Sequence, residues 1–277
     1  MKNTFNPSVL FLLVIGSMIF FSCDSMDDAP PVPNLSVIED DTQVNIAFED
    51  LDNLTLSVLS NAGLSARTSV DLPGGNLCDG ALISIDEAEK MIRVDFGDGC
   101  TSTGGVTRKG IVMLQYTGNL LLTGAMITTT FDGYEVNGMK VEGARVLTNK
   151  GVDISSNTIN LEVQIQNGKI TWSDDTFVTI TSDQLRVIKL GTQGEYEASI
   201  TGTAEGTSRI GTEYTTSVSE ALHYTKSCLE SGVTVPTSGI LKFLYGGIEL
   251  TVDYGDGACD KMATINYPTG SKEVTLD

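Results

Sequence analysis

The chain has 277 residues, with 36 Asp and Glu against 17 Lys and Arg and a formal net charge of −19 at pH 7. An excess of negative charge repels phosphate backbones and anionic lipid surfaces, so the composition excludes nucleic acid as a partner and membrane attachment through a basic patch. Glycine is frequent, with 29 residues, and proline is scarce, with 7. This balance favours many tight turns between strands.

The first 22 residues have the pattern of an export signal. Lys2 precedes an apolar run of 13 residues from Val9 to Phe21, which is too short to cross a bilayer as a helix but typical of a signal-peptide core. Ser22 and Cys23 end the run. The segment resembles a bacterial lipoprotein signal, which implies that residues 1–22 are removed and that Cys23 is lipidated. Loss of Lys2 takes the net charge from −19 to −20.

The next residues divide into a tether and a helix. Residues 23–42 are acidic and contain prolines 30, 31 and 33, a composition that predicts a semi-rigid tether. Apolar residues then recur at steps of three and four, which predicts an amphipathic helix near 43–61 that covers an apolar face of the domain. These residues are Phe48, Leu51, Leu54, Val58 and Leu59.

From Leu82 onward, apolar and polar residues alternate with a period of two, as in half-buried strands. Asn137-Gly138 and Asn167-Gly168 each lie between two alternating segments and predict two hairpin turns. The polar faces of the strands are rich in threonine and charge, which is typical of antiparallel sheets. We therefore predict one all-β domain over 43–277, an antiparallel meander that forms a sandwich or open barrel, with one short N-terminal helix.

Four cysteines follow Cys23 and allow three disulfide pairings. We favour Cys78–Cys100 and Cys228–Cys259, because each pair is local in sequence and ends in the same motif. Four thiols in an exported chain are typical of two structural disulfides. A zinc site would need a CxxC motif or several histidines, and His223 is the only histidine.

One motif occurs twice. Residues 94–100 read VDFGDGC, and residues 252–259 read VDYGDGAC. The favoured interpretation is a strand that ends in a tight turn, in which an aspartate binds its own backbone and the cysteine anchors the turn. The alternative is a calcium site, since carboxylates are hard oxygen ligands. Its candidate ligands are Asp95, Asp98, Asp253 and Asp256, and we predict no other cofactor.

Short motifs in a fixed order carry a family resemblance. Between Cys78 and the second Gly-Asp-Gly turn they include Thr107-Arg108-Lys109-Gly110, residues 131–138 (FDGYEVNG), Ile170-Thr171-Trp172 and Ile200-Thr201-Gly202. Together they resemble a family of uncharacterised Bacteroidota surface lipoproteins over about residues 78–267. The resemblance implies an exported β-rich lipoprotein and carries no activity, cofactor or site residue.

Three classes of function remain. The favoured class is a lipid-anchored, non-catalytic binding or structural protein at the outer-membrane surface, facing the cell exterior, whose partner is an extracellular or envelope macromolecule. A glycan-capture lipoprotein of an uptake system is the alternative, and it requires Trp172, Tyr214 and Tyr224 to share an exposed face. A glycoside hydrolase needs two carboxylates across a cleft, and serine chemistry would need His223 as its base. We recognise no catalytic constellation and predict no enzyme.

Overall fold

The computed structural model describes residues 33–61, 77–192 and 195–276. Over these residues, fourteen strands form a single antiparallel sheet, and two helices accompany it. The predicted all-β antiparallel meander with an N-terminal helix is confirmed.

The elements follow one another in a simple order. The helices are α1 (Ser36–Asn61) and α2 (Lys226–Glu230). The strands are β1 (Leu82–Asp86), β2 (Met91–Asp95), β3 (Cys100–Thr101), β4 (Thr107–Tyr116), β5 (Met126–Val136), β6 (Met139–Asp153), β7 (Thr158–Thr171), β8 (Phe177–Leu190), β9 (Tyr196–Thr207), β10 (Glu213–Thr225), β11 (Ser238–Tyr245), β12 (Ile248–Asp256), β13 (Met262–Tyr267) and β14 (Gly270–Thr275).

The sheet is an open meander. Its strand order is β1-β2-β4 and then every following strand in turn to β14, while the short β3 pairs with β4 alone. The longest strands, β6 to β8, lie in the middle of the order. Strands β1 and β14 form the two edges.

Helix α1 differs in length from the prediction. It begins at Ser36, so the last seven residues of the predicted tether, 36–42, belong to the helix. The Asn34 side chain accepts a hydrogen bond from the Ser36 amide at 3.0 Å, which forms a turn directly before the helix, as Asn side chains commonly do. Asp40 and Asp41, whose charge suggested a tether, are both buried.

The sheet encloses this helix on most sides. Among its described side chains only Glu39 is exposed. The same helix contacts three alternate strands: Asp50 pairs with Arg108 of β4, Phe48 lies under Arg145 of β6, and Glu49 pairs with Arg186 of β8. The buried face of the sheet therefore curves around α1, and the helix is the centre of the hydrophobic core rather than a cover on one face.

The two Asn-Gly sequences have different structures. Asn137 and Gly138 both have positive φ and form the β5–β6 turn, as predicted. The predicted hairpin at Asn167-Gly168 is wrong, because β7 runs unbroken through it. Asn167 has φ of 51° and lies in a bulge, where the ladder shifts register opposite Gly143. A positive φ suits a bulge as well as a turn, so the dipeptide alone does not distinguish them.

Both predicted disulfides are confirmed. Cys78–Cys100 joins the segment before β1 to β3, and Cys228–Cys259 joins α2 to the β12–β13 loop. In the meander these two bridges lie at opposite ends of the strands and near opposite edges of the sheet. Cys23 lies outside the described residues. None of the described helices has the length and apolarity of a membrane span.

Candidate functional site

A cavity of about 50 Å³ lies between the N-terminal half of α1 and strands β8 to β12. Its polar lining includes Asp41 and Glu49 of the helix, Thr216 and Tyr224 of β10, and Tyr254 of β12. Apolar side chains from β9, β10 and β11 complete the walls. The cavity therefore has an acidic helix on one side and hydroxyl-bearing, aromatic and apolar side chains on the other.

A break in the sheet borders this cavity. Ser217 of β10 pairs with Thr203 of β9, but the next pair is Leu222 with Ile200, so four residues of β10 lie opposite two of β9. Gly202 faces this bulge with φ of 145° and approaches the Asp183 carbonyl so closely that a Cβ would overlap it. Bulges bend strands and redirect side chains next to binding sites. Here the bulge borders the cavity, because Gly202, Val218 and Leu222 line it.

Asp41 is the buried carboxylate of the cavity. It is 4% exposed, and its Oδ2 accepts a hydrogen bond from the Asn45 side chain at 2.9 Å. Its Oδ1 is buried and accepts no hydrogen bond from any residue that the structure describes. Burial raises the pKa of Asp41 to about 7, the Asn45 hydrogen bond opposes this rise, and the neighbouring Asp40 adds to it. The carboxylate therefore keeps its proton to a much higher pH than an exposed aspartate does.

Other carboxylates of α1 face arginines. The three pairs are Asp40 with Arg209 at 3.9 Å, Glu49 with Arg186 at 3.5 Å, and Asp50 with Arg108 at 2.5 Å. Asp41 has no such partner among the residues described, and no arginine or lysine influences its pKa. The helix therefore presents one buried acidic group whose charge the sheet does not balance.

Tyrosines surround this acidic group. Burial raises the pKa of Tyr254, and the nearby charges of Asp41 and Glu49 raise it further. Burial also raises the pKa of Tyr224, and the charges of Glu49 and Asp41 add to the rise. Burial raises the pKa of Tyr214 as well, and there the added charges are those of Asp41 and Asp40. All three phenols therefore stay protonated at neutral pH and are hydrogen-bond donors as well as acceptors.

The repeated motif forms turns at both of its positions. Asp95 accepts a hydrogen bond from the Gly97 amide at 2.8 Å, and Asp253 accepts one from the Gly255 amide at 2.9 Å. The Gly97 hydrogen bond, with Arg93 at 2.9 Å, holds the pKa of Asp95 below its ordinary value. These contacts match the favoured interpretation of an aspartate that binds its own turn.

The structure places the remaining calcium candidates on the surface. Asp98 and Asp256 are exposed. Across 33–61, 77–192 and 195–276, no three His, Cys, Asp or Glu side chains are grouped as a metal ion would require. His223 is exposed on β10, and its carbonyl accepts a hydrogen bond from the Thr237 amide.

The three aromatic candidates do not form one exposed face. The indole of Trp172 donates a hydrogen bond to Gln43 of α1 at 3.1 Å, and Arg209 stacks on its ring at 4.5 Å. Tyr214 is 3% exposed. Tyr224 is half-buried and lines the cavity. Of the candidate residues predicted from the sequence, Tyr224 lines the cavity, and Asp41 was not among those candidates.

The sequence contains a pattern that predicts burial of Asp41. Val37, Asp41, Val44 and Phe48 follow steps of four, three and four, so the apolar stripe of the helix extends N-terminally through Asp41. A carboxylate on a stripe that faces the core must be buried. The acidic composition of the segment obscured that pattern.

Comparison with known proteins found no similar one. No protein-family model matches the chain, and no curated protein or solved structure is significantly similar to it.

Proposed function

We propose that this chain is an exported, lipid-anchored protein with a non-catalytic binding or structural role at the outer-membrane surface. The observation that carries the proposal is the pairing of Cys78, Cys100, Cys228 and Cys259 into two disulfides. Structural disulfides persist in oxidising compartments outside the cytosol. Of five cysteines, the pairing leaves Cys23, the residue at the end of the lipoprotein-like signal.

Exposed apolar side chains at one end of the sheet support a macromolecular partner. Ile154 in the β6–β7 turn is 85% exposed, and Leu122 in the β4–β5 loop is 64% exposed. The Asn149 side chain fixes that loop to β6 through a hydrogen bond to the Leu120 carbonyl at 2.7 Å. Both side chains lie at the same end of the strands, and exposed apolar residues that form a patch are typical of protein contacts. The acidic charge favours a partner that is not rich in phosphate.

The glycan-capture alternative has less support. Stacking on a sugar needs free aromatic faces, whereas Arg209 covers one face of Trp172 and Tyr214 is buried. The two carboxylates of the described cavity, Asp41 and Glu49, both belong to α1, whereas a glycoside hydrolase needs its two carboxylates on opposite sides of the bond that it cleaves.

Lipidation and location can be tested together in the native host. We expect the wild-type chain to incorporate an alkyne-tagged fatty acid and to be degraded when intact cells are treated with protease. Cys23→Ala should lose the label and leave the membrane fraction, while Ser25→Ala is the matched control and should behave as wild type. A label that survives Cys23→Ala would contradict the anchor. Protection of the wild-type chain in intact cells, with the label present, would contradict the exterior location alone.

Thiol counting gives a second test of the same proposal. A maleimide reagent should label no cysteine of the mature chain under denaturing, non-reducing conditions, because Cys23 is acylated and the other cysteines are paired. After reduction it should label the four disulfide cysteines. One labelled cysteine before reduction would contradict acylation of Cys23.

A further inference from the structure

We propose that the cavity beside Asp41 binds a small primary alkylammonium ion, with the ammonium group at the carboxylate and the alkyl group against the apolar wall. This inference is independent of the anchor and of the location proposed above, because it rests only on the interior of the domain.

The first argument is charge balance. Asp40, Glu49 and Asp50 each face an arginine, and in the described structure Asp41 does not. A buried carboxylate is stable in its charged form only with a cation or several hydrogen-bond donors. Asp41 lines the cavity and has one donor, the Asn45 amide, on Oδ2, while its buried Oδ1 accepts no hydrogen bond from the described residues.

The second argument is the composition of the walls. An ammonium group donates three hydrogen bonds, and Thr216 and Tyr254 bring hydroxyl groups to the same cavity as Asp41. Tyrosine rings also attract cations through their faces. Ile200, Leu222 and Leu241 form an apolar wall, which suits an alkyl group and does not suit a hydrated metal ion.

The third argument is size. A water molecule needs roughly 10 to 15 Å³ of such a cavity, so a volume of about 50 Å³ holds a ligand of about three to five non-hydrogen atoms. Propylammonium has this size and both chemical parts. A calcium or magnesium ion would instead need six or more oxygen ligands, and the described carboxylates of the lining are Asp41 and Glu49.

The experiment titrates the purified full-length protein at pH 8 with propylammonium chloride and follows the thermal midpoint and the bound fraction by calorimetry. The neutral analogue 1-propanol controls for the alkyl group, triethylammonium chloride for size, and sodium and potassium chloride for charge alone. We expect propylammonium to raise the midpoint saturably, because a ligand of the native state stabilises it by mass action. The controls should bind at least tenfold more weakly. Equal effects of propylammonium and 1-propanol, or of propylammonium and potassium chloride, would overturn the proposal.

A variant tests the role of the carboxylate. Asp41→Asn keeps the shape of the side chain and should weaken propylammonium binding at least tenfold, whereas Asp98→Asn, on an exposed turn, should leave it unchanged. Unchanged binding in Asp41→Asn would overturn the proposal.

The wild-type chain gives a further readout that does not depend on a variant. Among the described residues, Asp40 lies beside Asp41, Glu49, Tyr224 and Tyr254 line the same cavity, and Tyr214 feels the charge of Asp41. Arg209 and Arg186 pair with Asp40 and Glu49 and not with Asp41. With a pKa of Asp41 of about 7, binding should weaken about thirtyfold from pH 8 to pH 5.5 as the carboxylate is protonated. If the affinity for propylammonium does not change over this pH range, a charged Asp41 is not the group that binds the ammonium ion.

Discussion

Arg108 of β4 donates two hydrogen bonds to Asp50 of α1, from Nε at 2.9 Å and from Nη2 at 2.5 Å. The arginine side chain is fully buried and the aspartate nearly so. Burial raises the pKa of Asp50, and the hydrogen bonds and charge of Arg108 oppose the rise. The bidentate contact joins residues 58 positions apart and fixes the helix against one strand of the sheet.

Removing one member of this pair should leave a buried charge without its partner. We expect Arg108→Met to lower the free energy of unfolding by about 3 to 5 kcal/mol, measured by urea denaturation. The matched control is Lys109→Met on the same strand, whose ion pair with Glu135 is at the surface and should be worth less than about 1 kcal/mol. The double variant Arg108→Met, Asp50→Leu should recover most of the loss. Equal effects of the two single substitutions would contradict a structural role for the buried pair.

The raised pKa of Asp41 makes stability depend on pH. Its pKa is about 7 when folded, against an ordinary value of 3.8, so between these values the folded chain binds more protons than the unfolded one. The contribution of Asp41 to stability is therefore fully present below about pH 4 and is lost as the pH rises through about 7.

Asp41→Asn removes this dependence. Relative to wild type, the variant should gain a few kcal/mol in free energy of unfolding between pH 4.5 and pH 8, with no added amine. Denaturant titrations of both proteins at a series of pH values measure the difference, which isolates Asp41 from other carboxylates. A difference that stays constant over this range would contradict the raised pKa.

Gly206 of β9 lies where strand β8 leaves no space for a side chain. A Cβ at this position would overlap the Thr179 carbonyl. We expect Gly206→Ala to lower the free energy of unfolding by about 1 to 3 kcal/mol, as overpacking does, in thermal or urea unfolding. Gly118→Ala, where a Cβ meets no atom within 4 Å, is the control and should be tolerated. Similar stabilities of the two variants would argue against this strand contact.

The disulfide between Cys228 and Cys259 closes a segment with a sequence separation of 31. Replacing both cysteines with serine should cost about 3 to 4 kcal/mol, because the unfolded chain regains the entropy that the loop removes. Non-reducing urea titration measures this loss. The same double replacement at Cys78 and Cys100, with a separation of 22, should cost nearly as much, since loop entropy depends only weakly on length. A loss at one bridge only would show that native packing, and not the unfolded chain, determines the effect.

The sheet could be predicted because its signals are local. Period-two alternation marks the strands, and Asn137-Gly138 marks a turn through backbone geometry that few other dipeptides adopt as readily. The disulfides could be predicted because each pair is near in sequence. The failure at Asn167-Gly168 has the opposite cause, since the choice between bulge and turn depends on Gly143 in the neighbouring strand.

The cavity could not be predicted from local signals. Asp41 and Tyr254 line the same cavity only because the sheet places β12 beside the helix. No pattern within one segment of the sequence predicts that these two residues are neighbours. The bulge in β10 depends in the same way on its partner β9. The acidity of residues 39–41 also suggested solvent, whereas Asp40 and Asp41 are buried and the distant Arg209 faces Asp40.

The enclosure of α1 has a consequence for how the domain assembles. The helix is the first described element of the chain, yet its polar partners lie much later in the sequence. Trp172 donates a hydrogen bond to Gln43, 129 positions away, and Arg186 donates one to Glu49, 137 positions away. Contacts of such range form slowly, because long loops must close before any stabilisation is gained. The helix therefore lacks these two polar contacts until the chain through β8 is in place. We therefore expect the docking of α1 against the sheet to be a late step in folding.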